Sequence, residues 1–301
     1  MTTLLMPAKK AQPASTGGKI ALVLLIPGLA YLGLFFITPL ISLVMTSLQV
    51  PSASGDIGRY DFGLEFGNYA YAVSQYSTQI FRSFFFALMA TIIALLISYP
   101  LAYFIGVKAR RWPLLQGLML TLVIAPFFIS FLLRTFAWKQ IFANDAFVSN
   151  VLKAIGILGP DDFIVGSAGA VIFGLVYNFI PFMTLPLYTN LERLDTSYLE
   201  AGNDLYAGPV KTFLKVTLPL SVPGITSGTL LTFIPIAGDY VTASRDFLGG
   251  SDTSMIGNVV EVNFFRIQDY PTAAALSVIL MSAIVVLVAA YVRRSGTEDL
   301  L

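Results

Sequence analysis

Chemistry needs groups that titrate, ligate or attack, and this chain has few of them. Its 301 residues contain no Cys and no His. That removes disulfides, thiol nucleophiles, Cys/His metal sites and imidazole acid–base catalysis together. A phosphate-cradling loop needs G-x-x-x-x-G-K-[S/T]. At Gly18-Lys19 the first Gly is replaced by Pro13, and Ile20 follows the Lys. No clustered catalytic set emerges, so the expectation is a chain that is no enzyme and binds no cofactor or metal. Two features remain. One is a charged string, EAGNDLYAGPVKTFLKVTLP, at 200–219. The other is a set of polar groups in or beside apolar stretches: Tyr177, Asn178, Asp239, Tyr240 and Glu261.

Asp239 stands beside Gly238 and Tyr240, at the end of an apolar run. An acid at membrane depth is costly and usually functional. A carboxylate next to an aromatic face suits an alkylammonium, through charge pairing and cation–π attraction. The same acid also fits an interfacial position, or a pairing with Arg245 or Arg266. Tyr177, Asn178 and Glu261 fit structural roles as well as a solute path. Trp112 and Trp138 read as interface anchors. Arg134 is expected to snorkel outward from the end of an apolar stretch.

These groups must be positioned by membrane helices. The sequence is 56% hydrophobic and 12% charged, about half the charge of a soluble domain. Six windows lack Asp, Glu, Lys and Arg: 20–55, 83–107, 112–133, 163–191, 216–238 and 270–292. A bilayer core takes about 20 helical residues, so six transmembrane helices are predicted in an all-α integral membrane protein. The first apolar run, Ile20 to Met45, is too long for a cleaved signal and should remain as an anchor. Residues 1–19 read as an N-terminal tail, 20–292 as one membrane domain and 293–301 as a C-terminal tail.

Several breaks are expected inside this frame. Pro27 and Pro39 kink span one. Pro181 and Pro186 disturb span four, and Pro235 with Gly238 loosens the end of span five. The 27 residues after RTFAW, up to Val165, are too polar to span, and the apolar side chains from Phe136 to Ile155 read as amphipathic pieces at the outer interface. Basic residues orient the chain. With both termini in the cytoplasm, Lys9, Lys10, Lys19, the KARR run 108–111, Arg193, Lys211, Lys215, Arg293 and Arg294 are inside. The acids lean outward, which fits either a negative outer vestibule that would concentrate a cationic solute or the positive-inside bias itself, which leaves acids outside by default.

The 189–219 loop then lies on the cytoplasmic side. Thr196 or Ser197 can cap a helix that starts near Tyr198. Glu200 lies in its first turn, where negative charge is favoured. Gly208-Pro209 ends that helix, and Lys211, Phe213 and Lys215 belong to a second piece that leads to Pro219. Two short helices at an angle make a compact knob.

This string resembles the signature loop of ABC importer permeases, E-A-A-x3-G-x9-I-x-L-P. Glu200, Ala201, Leu218 and Pro219 match, Gly202 stands for the Ala at the third motif position, Val216 for Ile, and Tyr206 for Gly. Further strings are similar to the spermidine/putrescine permeases: SYPLAYF in span two, P-F-x-x-S-x-L-x-R-T-x-A-W over Pro126–Trp138, YNFIPFM in span four, and LGGSDTSMIGNVV before DYP. The resemblance runs from about residue 20 to 292. It implies the type I importer arrangement, with ATPase coupling through Glu200, Ala201, Gly202, Leu205, Tyr206, Gly208, Pro209 and Pro219. It also implies a second, related permease chain, two ATP-binding cassette subunits that hold ATP and Mg, an extracytoplasmic solute-binding protein, and a place in the cytoplasmic membrane with no nucleic-acid partner. Other small solutes, such as an iron complex, phosphonate or sulfate, use the same frame. A secondary transporter would show intramembrane acids and inverted repeats. Here only Asp239 comes near, and there is no repeat.

Overall fold

The structure, a computed structural model, describes residues 15–195, 197–204 and 206–295. Its helices, in chain order, are α1 (Ser15–Leu32), α2 (Thr38–Ser47), α3 (Gly67–Tyr103), α4 (Pro113–Ile124), α5 (Phe131–Ile141), α6 (Phe147–Ala154) and α7 (Ala168–Glu192). Then come α8 (Ser197–Asp204), α9 (Pro209–Thr212), α10 (Leu218–Leu220), α11 (Val222–Ala237), α12 (Ile256–Val262) and α13 (Tyr270–Ser295). The loop between α2 and α3 closes on a two-residue antiparallel ladder that pairs Val50 with Asp61 and Pro51 with Tyr60.

Four stretches are long and apolar enough to cross a bilayer: Val23–Ser47, Gly67–Arg111, Ala168–Glu192 and Tyr270–Arg294. Two bent pairs bring the count to six if each is one span. These segments are helical because lipid satisfies no backbone group, so each must hydrogen-bond internally.

The breaks differ from the sequence expectation in instructive ways. Span three is not straight: Pro113–Phe128 meets Phe131–Ile141 at 95°. Pro126 sits in a tight turn, Ile129 is extended (φ −108°, ψ 135°), and Ser130 starts the next helix. The RTFAW string therefore lies on α5, a limb turned across the bundle. Span five starts at Val222. The preceding Pro209–Leu220 limb meets it at 64°, between Pro219 and Pro223. Span four, by contrast, runs unbroken through Pro181 and Pro186. It is the central helix, packed on α3 and α11, and this packing on two sides holds it continuous. In span one, a π-helical turn at Gly33–Ile37 lies between Pro27 and Pro39. Helix α3 begins at Gly67, well before its apolar window, and kinks at Tyr76 (φ −117°, ψ 19°).

The core lies where α3, α7 and α11 meet. Ala87, Ala90, Ala94, Leu175, Met183, Leu187 and Ile236 are all fully buried there. Close approach of α11 to α7 uses Gly224 and Gly228, a G-x-x-x-G spacing. A Cβ at Gly228 would stand 3.0 Å from the Met183 carbonyl, and one at Gly224 3.2 Å from that of Pro186. Small residues at this spacing let helices meet where lipid supplies no hydrophobic drive. Along Val23–Ser47, Ser47 alone is buried within the chain; α2 packs on α13.

Candidate functional sites at the two ends of the bundle

Helix α7 links two regions of interest, and its 25 residues rise about 38 Å at 1.5 Å each. At its C-terminal end lies the signature loop. Just before α8, Asp195 Oδ1 accepts from the Ser197 N–H at 2.9 Å. That bond holds the Asp195 carboxyl below its ordinary pKa. Ser197 is the first residue of α8 itself, and Thr196, the other expected cap, lies outside the described residues. Glu200 is exposed in the first turn of α8, and Ala201 is exposed beside it.

The first helix ends before Gly208. The Ala207 N–H donates to the Gly202 carbonyl at 3.0 Å, and Tyr206 is left-handed at φ 54°. This is the six-to-one bond of a Schellman motif, whose left-handed position is normally Gly. Backbone conformation, rather than close approach, is therefore what the family Gly supplies at this position. Tyr206 adopts the same φ and projects its ring fully into solvent, 98% exposed. Leu205 lies outside the described residues. Gly208 then starts the second helix: its carbonyl accepts from the Thr212 N–H at 3.0 Å, with Pro209 at the first helical position.

The two helices touch at one point. Gly202 is buried, and a Cβ there would meet Thr212 Cγ2 at 2.9 Å and Oγ1 at 3.0 Å. The second helix is fixed to the bundle by Phe213, whose ring meets Tyr99 and Tyr103 edge-on at 5.4 and 6.3 Å. Beyond Pro219, Tyr99 Oη and Ser221 Oγ hydrogen-bond at 2.7 Å.

Arg110 is the residue that sequence reasoning missed here, having counted it only as a positive charge. Its Nε donates to the Gly106 carbonyl at 2.9 Å, Nη1 to that of Leu194 at 3.2 Å and Nη2 to that of Leu191 at 3.0 Å. Nη2 also donates to the Glu192 carbonyl. The last carbonyls of a helix have no internal partner, and one guanidinium serves those of α7. The end of α3 is thereby locked to the base of the knob. No local pattern marks this role, because the Leu191 and Leu194 carbonyls it meets lie more than 80 positions away.

At the other end of α7, Asp239 lies two residues past α11. It is only 7% exposed. Its Oδ1 accepts from the Thr242 N–H at 2.7 Å and its Oδ2 from the Thr242 hydroxyl at 3.2 Å. Burial pushes its pKa up to about 6, against the lowering effect of these bonds. The carboxylate is thus turned into its own loop. Neither Arg245 nor Arg266 pairs with it; the one ion pair among the described residues is Arg59–Asp56.

Tyr240 and Glu261 are brought together. Both line an apolar groove of about 1000 Å³ between α11 and α13, with Phe264, Leu280 and Ile284. Glu261 sits on helix α12 rather than in a loop, and it also borders an outer cavity of about 470 Å³ that holds Tyr76, Arg245 and Arg266. Tyr177 and Asn178 face α5 instead. Asn178 Nδ2 donates to the Thr135 hydroxyl at 3.1 Å, and Tyr177 meets Trp138 edge-on at 5.1 Å. Trp138 is therefore a packing residue among Phe142, Phe173 and Tyr177. Arg134 does not snorkel: it is 8% exposed, and its Nε and Nη1 have no hydrogen-bond partner. The turn at Ser130 carries it into the bundle.

A bent-span helical bundle with a capped two-helix knob at one end is the fold of importer permeases. The chain belongs to the family of binding-protein-dependent transport system inner membrane components, whose model matches residues 64–295. Among curated relatives, it is 32% identical to the spermidine/putrescine transport system permease protein PotB of Salmonella typhimurium (strain LT2), over 91% of this chain and 93% of that one. It is 35% identical to PotB of Haemophilus influenzae, over 78% of this chain and 80% of that one. Among solved structures, a chain of a bacterial ABC transporter involved in the import of the acidic polysaccharide alginate superposes with a TM-score of 0.66. That match is 16% identical and covers 94% of this chain and 96% of the other.

Proposed function

We propose that this permease moves polyamines, spermidine or putrescine, across the cytoplasmic membrane by ATP-driven alternating access. The observation that carries the coupling half is the knob: two short helices joined at Gly202 and Thr212, locked by Arg110 to the ends of α3 and α7. A knob so fixed can seat in a cleft of an ATPase and pass on its closure as a rigid-body movement. ATP and Mg sit in two partner subunits. A second permease chain completes the pore, and an extracytoplasmic binding protein delivers the solute. Both termini and the knob are cytoplasmic. The polyamine half is supported by the PotB relatives, and by an outer end that carries Glu261 and Tyr240 on one groove. A dication gains about 2.3 kcal/mol per charge per 100 mV of inside-negative potential.

One observation favours a second reading. Arg134 is a buried cation with free donors on the crossing limb of span three, and such a group suits an anionic solute. Uptake of radiolabelled spermidine, putrescine and sulfate, in cells that lack the chain but keep its partners, separates the two. Restoration of polyamine uptake by wild type, and its loss in a stably expressed Glu200→Ala complex, is the expected result. Sulfate uptake without polyamine uptake overturns the substrate reading.

A further inference from the structure

A second basic feature lies beside the knob. The span Gly67–Arg111 and the helix from Pro113 are joined through Trp112, so this junction stands at a membrane–water boundary. Trp112 is 58% exposed, as befits an aromatic at the headgroup level. Between the junction and the knob is a cavity of about 770 Å³, walled by Lys108, Arg110, Arg111 and Trp112 on one side and by Glu200 and Thr217 on the other.

The charges in this cavity are not balanced internally. Arg110 spends its donors on neutral carbonyls, so its charge persists. Lys108 and Arg111 are exposed and form no ion pair among the described residues. Against three cations stands one acid, Glu200. The far wall supplies an independent observation. Thr217 is 1% exposed, and its hydroxyl has no hydrogen-bond partner. A buried hydroxyl without a partner among the described residues is costly, and Thr217 is one of the residues that line the cavity.

We propose that this cavity binds the phosphate of an anionic phospholipid of the adjacent leaflet. Lys108 and Arg111 meet the phosphate charge, the Thr217 hydroxyl donates to a headgroup oxygen, and Trp112 lies along the glycerol. The site's place at the boundary, with Phe104 also on its wall, favours a lipid over a free anion: acyl chains continue along the apolar surface while the headgroup enters. Basic pockets between spans recognise such headgroups. The lipid would bridge the end of α3 and the knob, and so tie ATPase coupling to membrane composition. The proposal rests on the permease reading above.

The test uses the whole transporter, purified with its partners and placed in bilayer discs of phosphatidylcholine with or without phosphatidylglycerol. Lipid retained after detergent washing is counted by native mass spectrometry. Wild type should retain phosphatidylglycerol in preference to phosphatidylcholine. Lys108→Gln with Arg111→Gln should weaken that retention about thirtyfold, as expected for two charges near an anionic surface. Thr217→Val should weaken it about tenfold. Arg293→Gln with Arg294→Gln, an exposed dibasic pair on α13, should leave it unchanged. Equal retention of both lipids, equal loss in the α13 control, or displacement by millimolar inorganic phosphate overturns the proposal. So does a Lys108/Arg111 variant that keeps its lipid but sheds the ATPase, because the cavity is then a protein-docking surface. Selective retention by a wild-type chain that captures no ATPase sinks the transport reading and leaves the lipid site standing.

Discussion

Gly202→Ala puts the family residue into a loop built around its absence. The new Cβ would stand 2.9 Å from Thr212 Cγ2 and 3.0 Å from Oγ1, while Thr212 Cβ is 3.6 Å away. Thr212 is buried, and a β-branched side chain on a helix has few χ1 states to escape into. Overpacking of this kind costs about 1–3 kcal/mol. Alanine in place of glycine within a helix returns about 1 kcal/mol, so the single variant should loosen the knob by about 0–2 kcal/mol. In Gly202→Ala with Thr212→Ala, only the ordinary 3.6 Å contact remains, and the helix gain is realised. The double-mutant cycle should then give a coupling energy of about 1–3 kcal/mol. Limited trypsin cleavage at Lys211 and Lys215 reports the opening of the knob, since cleavage follows the open population when reclosing is fast. The expected order is fastest for Gly202→Ala and slowest for the double variant, with ATPase co-purification following it. Additive effects of the two substitutions would refute the Gly202–Thr212 contact as the joint of the knob.

Tyr206→Gly should slow the same cleavage by the equivalent of about 1 kcal/mol, because a bulky residue at φ 54° carries strain of about 1–3 kcal/mol and glycine gives back part of that in chain entropy. Arg110→Ala should lower the melting temperature of the purified complex and release the ATPase; Arg110→Lys should rescue little, since an ammonium cannot reproduce the guanidinium fork. Asp239 has a native pKa of about 6 against an ordinary 3.8, so the native state holds its proton more tightly than the unfolded chain does. Its contribution to stability therefore falls as pH rises from 3.8 to about 6, and the penalty is complete above that. Asp239→Asn should raise the melting temperature at about pH 7.5 and much less at about pH 4.5. A gain that is equal at both values would contradict the burial, and lost uptake by the stabilised variant would leave solute contact as its role.

The sequence alone determined the class of molecule. Long windows free of charge can only be helices in lipid, since hydropathy reports how each segment partitions and backbone bonding inside a bilayer allows little else. It also located the knob, because caps, glycine and proline act within a few residues of themselves. Tertiary structure decided what those residues bond to. Pro126 and the pair Pro219 and Pro223 lie at turns of 95° and 64°, whereas Pro181 and Pro186 sit inside an unbroken α7 that packs on both α3 and α11. The same holds for charge. Arg134 and Asp239 look alike in sequence as polar groups at the ends of spans. One is carried inside by a turn and left with free donors, and the other is satisfied by Thr242. Arg110 reads as one positive charge in a run of three, and becomes the clasp of two helices only because the carbonyls of residues 191–194 lie beside it. Such partners come from distant parts of the chain, so local pattern carries no trace of them.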